Sequence, residues 1–297
     1  MKKNLICAGI VTIAVSFTGF VNAQSPLSKL VDAFAKTAKD NPNDTSSADL
    51  TMKALNNLAG GGGVSKADSV TAIKSFMNAK GGSGYYYQYI TTVTSKRGTN
   101  SDTSNRYFTS GGEGRSEMNL TAMMGVKGGN TLVTLARADL RRFSLTLDAS
   151  DKTYSLNVID TSLINSTHAN YQVTKIGNET VQGYNCIHAK MVSTMGSGMF
   201  SSTSTMDIWT SAGVPGYALI QRTMTAQNIT PAMIKALDQA GCNGFFVKIT
   251  TQGKDASMNM TLVKAQSKSF PASMFDIPAG YKESDENMMF HQMHPKK

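Results

Sequence analysis

Hydrophobic residues recur at helical spacing up to about residue 80 and alternate from Tyr85 onward. Leu27, Leu30, Val31 and Phe34 fall at i, i+3, i+4 and i+7, the spacing of an amphipathic helix. Asn41-Pro42-Asn43-Asp44 breaks that pattern, and a second helix is predicted from Ser47 to Ala59, with Leu50, Ala54, Leu55 and Leu58 on one side. Gly60 to Gly63 stop it. A third helix starts at Ser65, where Ser65 and Asp68 have the spacing of a capping box with Asp in place of Glu. Val70, Ile73 and Met77 are its expected apolar side. Gly81-Gly82-Ser83-Gly84 reads as a flexible hinge.

Beyond the hinge, aromatic and β-branched residues in alternation predict strands. Tyr85, Tyr87 and the Tyr89–Val93 stretch come first, then Arg106-Tyr107-Phe108 and a turn at Gly111-Gly112-Glu113-Gly114. Further strands are expected at Thr131–Ala136, Arg142–Leu147, Thr153–Ile159, Tyr171–Ile176, Tyr184–Val192, Thr205–Thr210, Ala218–Thr225, Phe245–Thr251 and Met258–Ser267. No proline occurs between Pro42 and Pro215, which suits uninterrupted ladders, because each proline removes a donor. Short strands joined by turns predict an antiparallel meander, a barrel or a curved sheet. One helix interrupts it: Thr230 is a natural N-cap, Pro231 stands at N1, and Gly241 ends the segment. Met233, Ile234 and Leu237 form its stripe and are the candidate cavity-facing residues. The expected fold class is α+β, a curved antiparallel sheet packed on helices and preceded by a helical N-terminal region.

The N-terminus adds a compartment. Lys2 and Lys3 precede an apolar run from Leu5 to Phe20, followed by Val21-Asn22-Ala23, the layout of a cleaved secretory signal. The run is interrupted by Thr12, Ser16 and Thr18 and falls short of the roughly 20 apolar residues that a bilayer needs. Cys7 follows bulky Ile6, against a lipid anchor. The expected organisation is a signal peptide at 1–23, a helical region with its hinge at 24–84, a sheet domain at 85–282 and a mobile Met/His tail at 283–297. The expected location is the periplasm, with no transmembrane anchor after cleavage.

Composition narrows the partners. The net charge of +9 becomes +7 when Lys2 and Lys3 are removed, but the basic residues are scattered, with pairs only at Lys96-Arg97 and Arg141-Arg142. No stretch of five to eight Lys and Arg marks a nucleic-acid site. Cys186 and Cys242 are the two cysteines left after the signal. An oxidising compartment favours a bridge between them, and two separate buried thiols are the alternative.

Candidate chemistry is sparse. The chain lacks Gly-x-Ser-x-Gly, His-Glu-x-x-His and a phosphate-binding glycine loop, so no catalytic residue is assigned. Cys186 and His188 are two apart on a predicted strand and share a face, but no orienting group or oxyanion hole accompanies them. The histidines at 168, 188, 291 and 294 are too scattered for a metal site. In the tail, Met288-Met289-Phe290-His291-Gln292-Met293-His294 suits soft copper only adventitiously. No cofactor or resident metal is expected. Met191, Met195, Met199, Met206, Met258 and Met260 lie on or beside strands, where methionine either lines an adaptable apolar surface or fills an irregular core.

A series of segments carries a resemblance. Gly177 to Val181 is followed by Gly183-Tyr184-Asn185-Cys186, a strand ending Ile208-Trp209-Thr210, and the closing run Phe270-Pro-Ala-Ser-Met-Phe-Asp-Ile-Pro-Ala-Gly-Tyr281. This order, covering Tyr85 to Tyr281, resembles a family of exported bacterial envelope proteins of unknown function, common in Bacteroidota and similar in fold to the lipoprotein carriers LolA and LppX. The resemblance implies a half-open antiparallel barrel around helices, with a hydrophobic concavity for a lipid, a lipoprotein acyl chain or a hydrophobic peptide. It implies no catalytic residue, since shielding an acyl chain needs only apolar lining and a movable cover. A structural or partner-binding protein whose concavity is filled by its own helix is the other expectation.

Overall fold

The computed structural model describes residues 65–96, 98–119, 131–140, 142–158, 170–195, 202–217, 219, 231–253 and 256–284. Signal peptide, first two helices, Thr230, His168 and the Met/His tail beyond residue 284 lie outside the described residues. So does the strand expected at Ala218–Thr225, except Leu219, whose N–H closes a turn on the Gly216 carbonyl.

Helix α1, Lys66–Phe76, begins at the anticipated capping box. The Asp68 N–H donates to Ser65 Oγ at 3.1 Å, and the Ser65 N–H donates to Asp68 Oδ2 at 3.3 Å. Its docking side differs from the expected one. Ala72 and Phe76 are buried and Ile73 packs beside them, whereas Val70 and Met77 are 43% and 49% exposed. The Arg137 guanidinium donates to the Ser75 carbonyl and so fixes the C-terminal turn. Contact is therefore set by residues nearest that turn rather than by a stripe along the whole helix.

The strands are β1 (Gly82–Ser95), β2 (Gly98–Thr109), β3 (Glu113–Asn119), β4 (Thr131–Arg137), β5 (Phe143–Asp148), β6 (Thr153–Val158), β7 (Asn170–Val181), β8 (Tyr184–Met195), β9 (Ser202–Ser211), β10 (Phe245–Gln252), β11 (Ala256–Phe270) and β12 (Lys282–Glu283). Helix α2, Pro231–Gln239, lies between β9 and β10. All twelve strands form one curved sheet in the order β12-β6-β5-β4-β3-β2-β1-β11-β10-β9-β8-β7. Two meanders are joined where β1 pairs antiparallel with β11, from Gly82↔Phe270 to Ser95↔Ala256. β12 runs parallel to β6. The α+β class and helical N-terminal region are thus corrected: the described chain is predominantly β, with two α-helices, of which only α1 precedes the sheet. Alternating aromatic and β-branched residues dominate local helix preference over this length.

Register shows that the sheet is buried on opposite faces in its two halves. Directly opposed residues of neighbouring strands point to the same face, and successive residues alternate. Tyr87 and Tyr89 therefore share a face with Phe108, Leu262, Met260, Ile249, Ile208, Ala189 and Met191. Met233 and Leu237 of α2 join this core, so we term it the α2 face. The other face of β4–β6 presents Val133, Leu135, Leu145, Leu147 and Tyr154, on which Phe76 and Ile73 of α1 pack. After β11, a short 3-10 turn at Ala272–Met274 leads the chain along this α1 face. Phe270 meets Tyr107 edge-on at 5.7 Å, Arg115 Nη1 donates to the Met274 carbonyl, and Ile277 and Tyr281 join the second core.

The glycine run before the tyrosines is held rather than hinged. Gly82 to Gly84 already belong to β1, and a Cβ on Gly84 would lie 1.9 Å from the Phe108 carbonyl oxygen. Only a residue without a side chain allows that approach. Buried Glu113 accepts the N–H groups of Lys80 and Gly81 at 2.6 and 2.9 Å and the Thr109 hydroxyl at 3.3 Å. Asp276 accepts the Ala79 N–H at 2.9 Å. Glu113→Ala removes the buried acceptor of the Lys80, Gly81 and Thr109 donors and lowers the unfolding free energy by about 2 kcal/mol in urea titration, since hydrogen bonds to charged groups contribute about 1.5–3 kcal/mol. An unchanged midpoint would show that Glu113 does not fix the linker.

Candidate functional site

The α2 face of β1 and β7–β11 carries the larger of the two buried apolar clusters among the described residues. Tyr85, Tyr87 and Tyr89 occupy alternate positions of β1 and so line one face. Tyr87 stacks on Phe245 at 4.8 Å, and Tyr89 lies 6.2 Å from the same ring. Their hydroxyls are satisfied by backbone: Tyr87 donates to the Pro215 carbonyl at 2.5 Å and Tyr89 to the Phe246 carbonyl at 3.1 Å. Burial pushes both phenols above their ordinary range, so they remain neutral donors. Gly216, at φ +79°, seats its loop on this ladder, where a Cβ would come within 2.4 Å of the Tyr85 ring.

Methionine supplies much of the remaining lining. Met191, Met206, Met258 and Met260 from the strands and Met233 from α2 all belong to this core. Met195 ends β8, while Met199 lies outside the described residues. Within α2, Met233 and Leu237 are 2% and 6% exposed, and Ile234 is half-buried. Helix α2 is nine residues long and lies near β7.

At the border of this surface stands a cation. Arg106 opposes Tyr87 across the β1–β2 pair, and its guanidinium carbon is 5.0 Å from the Tyr89 ring centroid. Sequence pattern concealed it, since Arg106-Tyr107-Phe108 marks a strand without revealing which face takes the charge.

The reverse side of the sheet holds a polar group around the single tryptophan. His188 opposes Trp209, and their rings stack at 4.2 Å and 10°. His188 Nδ1 lies 3.1 Å from Glu179 Oε1, and Nε2 lies 3.2 Å from Asp207 Oδ1. Trp209 Nε1 also donates to Glu179, while Lys248 Nζ sits 4.3 Å from the indole centroid. Cys186 shares this face with His188, but its Sγ donates to the Tyr184 carbonyl at 3.4 Å. Both imidazole nitrogens therefore face carboxylates, and neither serves the thiol. Among the described residues no group of three or more His, Cys, Asp and Glu is arranged to hold a metal.

Cys186 and Cys242 are both buried and free, so the structure contains no bridge between them. Both cysteines pack into the larger apolar core, where the Cys186 Sγ donates to the Tyr184 carbonyl and the Cys242 Sγ to the Ala240 carbonyl, each at 3.4 Å. Burial is the main influence on each thiol and raises its pKa, which suppresses thiolate at neutral pH. Both cysteines are expected to resist alkylation in the folded protein and to react together in denaturant without reductant. Labelling that requires reductant would demonstrate a bridge instead.

The chain is similar to several solved structures. It matches PNGF-II with 10% identity and a TM-score of 0.38, over 71% of this chain and 32% of that one, so it spans about a third of PNGF-II. It matches a LolA superfamily protein from Nitrosomonas europaea with 8% identity and a TM-score of 0.27, over 68% and 96% of the two chains. The lipoprotein LppX of Mycobacterium tuberculosis matches with 9% identity and a TM-score of 0.28, over 67% and 94%. At such identities none of these likenesses assigns an activity to this chain. No curated protein sequence matches it. A family profile matches residues 90–281, almost the whole sheet from within β1 to the approach to β12, and on that match the chain belongs to the family described as Domain of unknown function (DUF4412).

Proposed function

We propose that this protein is an exported envelope binding protein that shields an apolar chain, such as a lipid or lipoprotein acyl group, against the α2 face of its sheet. The observation that carries the reading is the lining of that face: five methionines and the tyrosine ladder in one core, to which the nine-residue α2 contributes Met233 and Leu237. Thioether side chains are flexible and polarisable, so they repack around chains of differing length and branching. With Met233 and Leu237 buried, a ligand enters by displacing α2 from the sheet. On this reading the protein performs no reaction, in keeping with an imidazole engaged by two carboxylates and two thiols kept protonated by burial. Among the described residues no helix is long and apolar enough to cross a membrane.

A second reading takes the burial of Met233 and Leu237 at face value. The protein's own helix then fills the site permanently, and the protein acts as a structural or partner-binding component. Native mass spectrometry of protein purified from its own envelope separates the two. Carriage predicts co-purifying lipid mass and, after delipidation, saturable binding of a fluorescent fatty acid. Bare protein that also ignores the fatty acid would favour the self-filled reading.

A further inference from the structure

Resting on the carrier reading, we infer that the ligand is an anionic amphiphile, its chain on the methionine-rich half of the α2 face and its carboxylate or phosphate head at Arg106. The argument comes from one line of register. Tyr87 opposes Arg106, Arg106 opposes Ser116, Ser116 opposes Thr134, Thr134 opposes Thr146 and Thr146 opposes Ser155. These residues share the α2 face, so an apolar floor passes directly through one arginine into a row of four hydroxyls. Both α1 and the chain segment after β11 lie on the reverse face of this half. Neither helix core nor closing segment therefore explains why the row is polar.

Charge complementarity selects the sign of the head. Arg106 is half-buried, and its contact among the described residues is the Tyr89 ring, without a carboxylate partner. Asp102, four residues back along the same strand and face, is about 13 Å away at the rise of an extended chain. Asp148 lies in the next register row, two strands beyond β3, where Oδ1 accepts the N–H and hydroxyl of Ser150. A guanidinium next to apolar rings presents a planar fork to a carboxylate or phosphate. Ser116 and Thr134 make no side-chain hydrogen bond within the described residues and can donate to the same head. Thr146 already accepts from Asn157 Nδ2 at 2.8 Å, and Ser155 donates to the Ser284 carbonyl at 3.4 Å, which leaves the near end of the row for the ligand. A neutral chain would gain nothing from Arg106, and a free anion would gain nothing from the methionine floor.

The test compares pyrene-labelled hexadecanoic acid with its methyl ester on delipidated protein, by fluorescence titration. The acid is expected to bind at least about tenfold more tightly than the ester, the scale of one charge-assisted hydrogen bond. Arg106→Gln should abolish that preference, and Arg106→Lys should retain part of it. Inorganic phosphate alone should not displace the acid at equimolar concentration. Equal binding of acid and ester, or a preference that survives Arg106→Gln, overturns the head-group assignment while the carrier reading stands. Displacement by phosphate alone overturns it in favour of a free-anion site. Binding of neither probe removes both readings. Thermal melting checks that each variant folds. For a misfolded Arg106→Gln, Thr134→Val supplies the decision, with a reduced acid-to-ester ratio expected and an unchanged ratio overturning the assignment.

Discussion

The alternation imposed by the β pleat governs this molecule. Because each residue must point to one face or the other, the register of eleven antiparallel or parallel contacts determines where every side chain lies. In β7–β11 and β1 the apolar set falls on one face, and in β4–β6 it falls on the other. A single continuous sheet therefore carries two cores of opposite sense, each with its own helix. β2 and β3 form the transition, where Phe108 contributes to the first core while Glu113 and Arg115 hold the linker and the closing segment on the reverse side. A one-residue slip there would flip one half relative to the other and bring both apolar sets onto the same face.

This arrangement explains how an unusual surface arises without a dedicated loop or motif. Where the larger apolar set changes face, one register row on the α2 face stays polar, between rows that carry buried Leu132 and Ala136. Ser116, Thr134, Thr146 and Ser155 are that row, aligned by register with Arg106 and the tyrosine ladder. Hydrophobic burial thus accounts for the stability of both halves, and the change of face creates the chemical asymmetry between them. The geometry of the pleat, rather than any local signature, brings these groups together.

Much of this was legible along the chain. Ser65 and Asp68 announced α1, and alternating aromatic residues announced most strands, since both signals are local. β3 was read only as a turn. Glu113, Arg115 and Glu117 are charged on the side that a meander would ordinarily bury, and the strand is fixed by pairing with β2 and β4 rather than by its own pattern. Gly82 to Gly84 looked like a hinge because composition cannot show that Phe108 will approach Gly84 so closely. The hydroxyl row was invisible for another reason. It takes one residue from each of four strands, so no window of sequence contains it. Cys186 and Cys242 show the same limit, because two cysteines in a sequence invite a bridge while each thiol in the fold donates to a nearby backbone carbonyl.

The pairing of β1 with β11 has a consequence for how the protein comes into being. Gly82 meets Phe270 and Ser95 meets Ala256, so the central seam of the sheet joins the first described strand to the last but one. Such long-range contacts require the loop between them to close before they yield any stabilisation, and they fold slowly. Neither meander can complete the seam until β11 is available. During synthesis, the amino-terminal meander must therefore wait with one edge of β1 unpaired. The same seam that unites the finished sheet acts as a timer on its assembly.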